Sequence, residues 1–170
     1  MLRGRIFAAI ITSIALVIPG LAQAAPCAKQ ADQTALQVRM LQTELMVAAL
    51  TCNQRTDYNS FVTRFKPQLS AQGKHLQVFF KTQYGAASSK ALNGFITKIA
   101  NESSRRGMMK RGAFCRNATR IHADSVKIKP ASLTVLAETQ PFAGLHGISA
   151  CPTKVAAQVK GDQPVRTANP

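Results

Sequence analysis

The chain has 170 residues with 22 Lys or Arg against 7 Asp or Glu, a formal charge of +15. So few carboxylates leave little material for chemistry that needs two acids facing one cleft, as glycoside hydrolysis does. The chain has no Trp, which weakens a nucleic-acid reading that depends on base stacking.

The first 24 residues follow the layout of a secretory signal peptide. Met1 to Arg5 form a short basic segment, Ile6 to Ile18 are almost wholly apolar, Pro19-Gly20 break the run, and Leu21-Ala22-Gln23-Ala24 present small residues for cleavage before Ala25. The apolar run is shorter than the roughly 20 residues a membrane-spanning helix needs. Pro26 directly before Cys27 makes a poor lipobox. The expectation is export to the periplasm or beyond. The mature chain, about 146 residues at a charge near +13, is then one domain. Outside the cytosol the common polyanions are lipid phosphates, lipopolysaccharide and acidic polymers, and a basic exported protein is drawn to these.

Cys27, Cys52, Cys115 and Cys151 remain after cleavage. An even count in an exported chain reads as two disulfides with three possible connectivities. The favoured one joins Cys52 to Cys115 between two core helices and Cys27 to Cys151 between the irregular ends. No C-x-x-C pair occurs, so neither a redox centre nor a zinc knuckle is expected.

From Asp32, the expected N-cap, to about Leu50 the apolar positions Leu36, Met40, Leu41, Leu45, Ala48 and Ala49 mark an amphipathic helix. A polar turn at Asn53-Gln54-Arg55 leads to a second helix. That helix is expected to break at Lys66, before Pro67, and then to run on to a stop at Gly85. Ser88 or Ser89 opens a third helix, with Leu92, Phe95, Ile96 and Ile99 on one face and Gly107 as its terminator. A fourth covers about 108–124. No strand alternation appears in these hundred residues, so the expected fold is all-α, a four- to five-helix bundle over 25–125 stapled by disulfides. Residues 126–151, with Ser132–Glu138 either a short helix or extended, read as an irregular wrap held by Cys151, and 152–170 as a disordered tail.

Residues 103–120, SSRRGMMKRGAFCRNATR, carry six Arg or Lys around one cysteine. They admit three readings: a nucleic-acid patch, a reactive thiol in a cationic pocket, or the wet face of a disulfide-pinned helix. On a single helical wheel Arg105, Arg106, Lys110, Arg116 and Arg120 fall within roughly 140°. Phe114, Cys115, Ala118 and Ile121 lie opposite with Met108 beside them, while Arg111 and Met109 fall out of place. The wheel therefore favours a buried disulfide and an Arg-rich anion-binding face, since a reactive thiolate needs exposure. Guanidiniums bind phosphate or carboxylate bidentately.

His75, His122 and His146 lack any metal-pair spacing, and neither G-x-S-x-G nor a phosphate-binding P-loop occurs, so no metal or cofactor is expected. Glu44, among largely apolar neighbours, is expected to pair with Arg39 or Arg64 if buried. The blocks LQTELMVAALTC (41–52), YNSFVTRFKPQL (58–69) and GAFC (112–115) resemble a group of small secreted helical proteins of alphaproteobacteria for which no activity is known. Over residues 27–125 the resemblance implies an exported helical domain whose helix-end cysteine pairs with a later one. The functional expectation is a non-enzymatic exported module whose basic face meets anionic lipid, lipopolysaccharide or an acidic partner, with no specific nucleic acid. The alternatives are a periplasmic chaperone or stress protein, and a cell-envelope enzyme using Glu44 or a histidine.

Overall fold

The computed structural model describes residues 26–152. The signal-peptide reading of 1–24 and the tail reading beyond Pro152 lie outside them. Five helices pack together: α1 (Gln30–Thr51), α2 (Arg55–Arg64), α3 (Lys66–Tyr84), α4 (Ser88–Met109) and α5 (Arg111–Lys127), followed by a short α6 (Leu133–Glu138).

Helix α1 is the axis of the bundle. Leu36, Met40, Leu41, Leu45 and Ala48 are fully buried, as are Thr43 and Glu44 nearly so, and every other helix touches it. A helix buried on most of its circumference belongs at the centre of a core. It starts two residues earlier than its expected cap. Asp32 stands in the first turn, and its Oδ2 accepts the Lys29 N–H at 3.1 Å. The carboxylate thus satisfies a donor from within the helix, where it also meets the positive end of the dipole.

The break between α2 and α3 falls at Phe65, one residue before the expected Lys66. Pro67 has no N–H to give the preceding turn, yet it fits the first turn of a new helix, where that donor would be unpaired anyway. Phe65 is fully buried beside Phe61, ring centroids 5.0 Å apart, so core packing fixes the kink on the phenylalanine. Helix α3 stops at Gly85, as its sequence implies, with φ 53°.

Both favoured disulfides are formed, Cys27–Cys151 and Cys52–Cys115. The first ties the ends of the described chain, together with the hydrogen bonds Ala28 N to Ser149 O and Cys151 N to Ala28 O, both 2.9 Å. The segment after 125 is more regular than an irregular wrap. It holds α6 and delivers Leu133, Ala137 and Phe142 into the same core as α1. Gln33 donates to the Ile148 carbonyl at 3.0 Å and Thr34 to Glu138 at 2.9 Å, fastening the segment along the start of α1. Among the described residues no helix is long and apolar enough to cross a membrane. The two disulfides are consistent with an oxidising compartment outside the cytosol.

Candidate functional site: the basic elbow between α4 and α5

Residues 103–120 are not one helix. Gly107, the expected terminator, is buried inside α4, and the helical pattern breaks at Lys110 with φ −137° and ψ 53°. Lys110 N–H gives the last bond of α4 to Arg106 O at 3.0 Å, and its carbonyl takes the first bond of α5 from Phe114 N–H at 2.9 Å. Gly107 does not terminate the helix but packs inside it. A Cβ there would lie 3.4 Å from the ring of Phe114, an ordinary contact distance, so the ring packs directly over this position of α4. The single wheel drawn through 105–121 therefore loses its phase at Lys110. Phe114, Ala118 and Ile121 are buried as expected, but Met108 is 76% exposed and Met109 67%.

Two links hold this elbow against the end of α1. One is the Cys52–Cys115 disulfide, and the other is the Arg111 guanidinium, which donates from Nη2 to the Thr51 carbonyl at 2.8 Å. That second bond also supplies a donor to the negative end of α1, whose last turn carries no basic residue. Gln54 adds bonds to the Cys115 carbonyl at 3.3 Å and to Thr119 Oγ1 at 2.7 Å.

The five predicted anion-binding residues separate into different roles. Arg105 makes a forked pair with Glu102, Nη2 to Oε1 at 2.7 Å and Nε to Oε2 at 3.0 Å. Those bonds, with the charges of Arg105 and Arg106 behind them, hold the Glu102 carboxyl below the usual carboxylate range, and they raise Arg105 in turn. Arg106 reaches inward. Its Nη2 meets Glu44 Oε2 at 2.5 Å and Ser103 Oγ at 3.2 Å, and its Nη1 meets Glu102 at 3.2 Å. Glu44 is thus paired with Arg106, not with Arg39 or Arg64. Arg39 donates to Gln42 at 3.2 Å and Arg64 to the Ile128 carbonyl at 2.8 Å. Arg120 is engaged by Asn117 at 2.8 Å, with Asp124 and Gln140 each at 3.3 Å.

Lys110 and Arg116 are exposed and have no acidic partner among the described residues, and the same holds for Arg111. Arg111 fell outside the predicted face, but the break at Lys110 brings it to the elbow. The uncompensated charge is therefore Lys110, Arg111 and Arg116, while Arg105 and Arg106 are largely neutralised by the protein's own carboxylates. A cleft of about 380 Å³ opens beside them. Glu44, Arg105, Arg106 and Lys110 form its polar part, and Met109, Phe114, Phe142 and Leu145 its apolar part. The Arg106 guanidinium stands 6.0 Å from the centroid of the Phe142 ring, which fastens the segment after α6 to the same corner.

The histidines are spread out. His75 pairs with Asp32 at 2.8 Å. His146 is buried, and its Nδ1 accepts the Ile148 N–H at 3.2 Å, which assigns the ring proton to Nε2. His122 is buried under a groove of about 530 Å³ lined also by Asp57, Ser60, Arg64 and Thr119, and neither of its ring nitrogens has a hydrogen-bond partner. Burial pushes both His122 and His146 below the ordinary histidine value, with Asp57 pulling His122 part of the way back. Among the described residues no cluster of His, Cys, Asp and Glu suits a metal ion.

No protein-family model, curated protein or solved structure matches the chain.

Proposed function

We propose that the protein is an exported, non-enzymatic helical module that docks on an anionic envelope surface through the elbow between α4 and α5. The carrying observation is the trio Lys110, Arg111 and Arg116, three cations without a carboxylate partner on a corner pinned by the Cys52–Cys115 disulfide. No acidic residue occurs between Glu102 and Asp124, so nothing in that stretch offsets them. A pre-organised cluster of this kind gains long-range attraction to a phosphate- or carboxylate-bearing surface without having to order itself on binding.

The paired disulfides and the layout of residues 1–24 support a periplasmic or secreted location after cleavage near Ala25. The resemblance to small secreted alphaproteobacterial proteins agrees with that reading. Its three blocks lie on the second half of α1, across the α2–α3 kink and at the start of α5, which are framework positions. Co-sedimentation with anionic vesicles or lipopolysaccharide at low and high salt tests the proposal. Binding at low salt that weakens as salt screens the charges is expected, and no binding at low salt contradicts it.

A further inference from the structure

We infer that the elbow is a lipid-insertion tip, with Met108 and Met109 entering the interface of a bilayer while Lys110, Arg111 and Arg116 hold its anionic headgroups. The inference rests on the anionic-surface reading above and narrows the partner from any polyanion to a membrane.

Met108 and Met109 are the two most exposed large apolar side chains among the described residues, at 76% and 67%. They are consecutive and stand on the last turn of α4, directly before the break. Two more exposed apolar residues lie on the elements that meet there. Leu145, 46% exposed, shares the cleft lining with Met109. Leu50, 64% exposed, stands on the last turn of α1, next in the chain to the Thr51 whose carbonyl Arg111 grips. Charge borders this apolar tip directly, since Arg105 donates from Nη1 to the Met109 sulfur at 3.2 Å while its fork holds Glu102.

A soluble polyanion or an acidic protein surface answers the cations and leaves the methionines in water. A bilayer with anionic headgroups answers both, because interfacial binding combines buried apolar area with attraction to anionic lipid. Methionine suits the task. Its unbranched, polarisable side chain adapts to the irregular packing of the headgroup–acyl boundary. The disulfide and the Arg111–Thr51 bond hold the corner in place, so insertion requires no rearrangement of the bundle.

The chain has no Trp, so Met108→Trp provides a single fluorescent probe. Val78→Trp is its control, at another exposed site, 64%, two turns from the α3–α4 connection. The elbow lies at the far end of α4, about 33 Å along that helix. Vesicles of phosphatidylcholine alone and of phosphatidylcholine with phosphatidylglycerol are compared, with brominated acyl chains as quenchers. The probe at 108 is expected to shift to the blue and to be quenched only on the anionic vesicles, and the probe at 78 to do neither. Met108→Ser and Met109→Ser, both on the surface, should each weaken vesicle binding about tenfold and leave binding to soluble polyphosphate unchanged. Serine variants that bind vesicles like the parent, or a probe at 108 that keeps its aqueous emission on bound vesicles, would overturn insertion and spare electrostatic docking. Binding of the parent to polyphosphate but not to anionic vesicles would also overturn insertion. Binding to neither would remove both readings.

Discussion

Glu44 and Arg106, 62 residues apart, meet at 2.5 Å across the α1–α4 interface, and the carboxylate side chain is only 4% exposed. Arg106 also touches Glu102, Ser103 and the Phe142 ring, so one guanidinium joins the bundle axis, α4 and the segment after α6. This inward commitment removes Arg106 from the surface charge. Removing one partner of a buried pair strands the other. Arg106→Ala should therefore cost about 3 kcal/mol in urea unfolding. Glu44→Gln, which keeps an acceptor for the guanidinium, should cost less. Equal losses from the two substitutions would mean that the acceptor kept by Gln contributes nothing without the charge.

The two disulfides close loops with sequence separations of 63 and 124 residues. On the chain-entropy model they contribute about 4 and about 5 kcal/mol. Thiol titration in denaturant should find none without reductant and four after reduction, since the protein has no free cysteine. Replacing Cys52 and Cys115 together by Ala should lower stability by several kcal/mol and weaken anionic-surface binding as well, because the elbow loses its pin. The Cys27/Cys151 double replacement should affect stability alone.

His122 and His146 should make the protein less stable in mild acid. Burial depresses both in the folded state, so below the ordinary histidine value of about 6.5 the unfolded chain takes up more protons than the folded one. Unfolding free energy should then hold above that pH and fall as the pH drops from it toward the lowered folded values. His122→Leu also removes a ring with no hydrogen-bond partner. Relative to the parent, it should gain more at pH 5 than at pH 7.5. A parallel pH profile for the variant would show that His122 does not drive the fall.

Two glycines give opposite expectations. Gly94 lies exposed within α4, and a Cβ there would meet nothing within 4 Å. Gly94→Ala should stabilise by about 1 kcal/mol through helix propensity. Gly147 has φ 77°, and a Cβ there would approach Lys98 Nζ to 3.0 Å. Gly147→Ala should destabilise, in thermal or urea unfolding, by about 1 kcal/mol or more.

The helices were legible because their period is local. Phe95 and Ile99, or Leu36, Met40, Leu41 and Leu45, announce a buried face within two or three turns, and these residues are buried. The cysteine pairing was legible for a related reason, because helix ends and irregular ends have few partners to choose from. The site was only partly legible. A wheel carries its phase through any residue, and Lys110 has no side-chain feature that announces a break. The break lies between two contacts that no local pattern shows, Phe114 against Gly107 and the Cys115 bond to Cys52. Its consequence is that Arg111 and Met108 move to the outside corner. The partner of Glu44 was hidden because a contact over 62 residues leaves no mark in local spacing.

The proposed docking depends on where the charge lies and not on its total. Lys110, Arg111 and Arg116 changed together to Gln remove three positive charges at the elbow. Since Arg111→Gln also removes the bond to Thr51, unchanged urea unfolding of the triple is the check that its loss of binding is one of charge. Lys74, Lys81 and Lys90, all exposed, changed together to Gln remove three on α3 and the start of α4. Binding of both triples to phosphatidylglycerol-containing vesicles, measured by co-sedimentation at low salt, compares the two. At about 1 kcal/mol for each basic residue at the membrane surface, the elbow triple should lose affinity about a hundredfold. The control triple should lose little. Equal losses from the two triples would show that net charge alone drives the attraction and would contradict an elbow-directed surface.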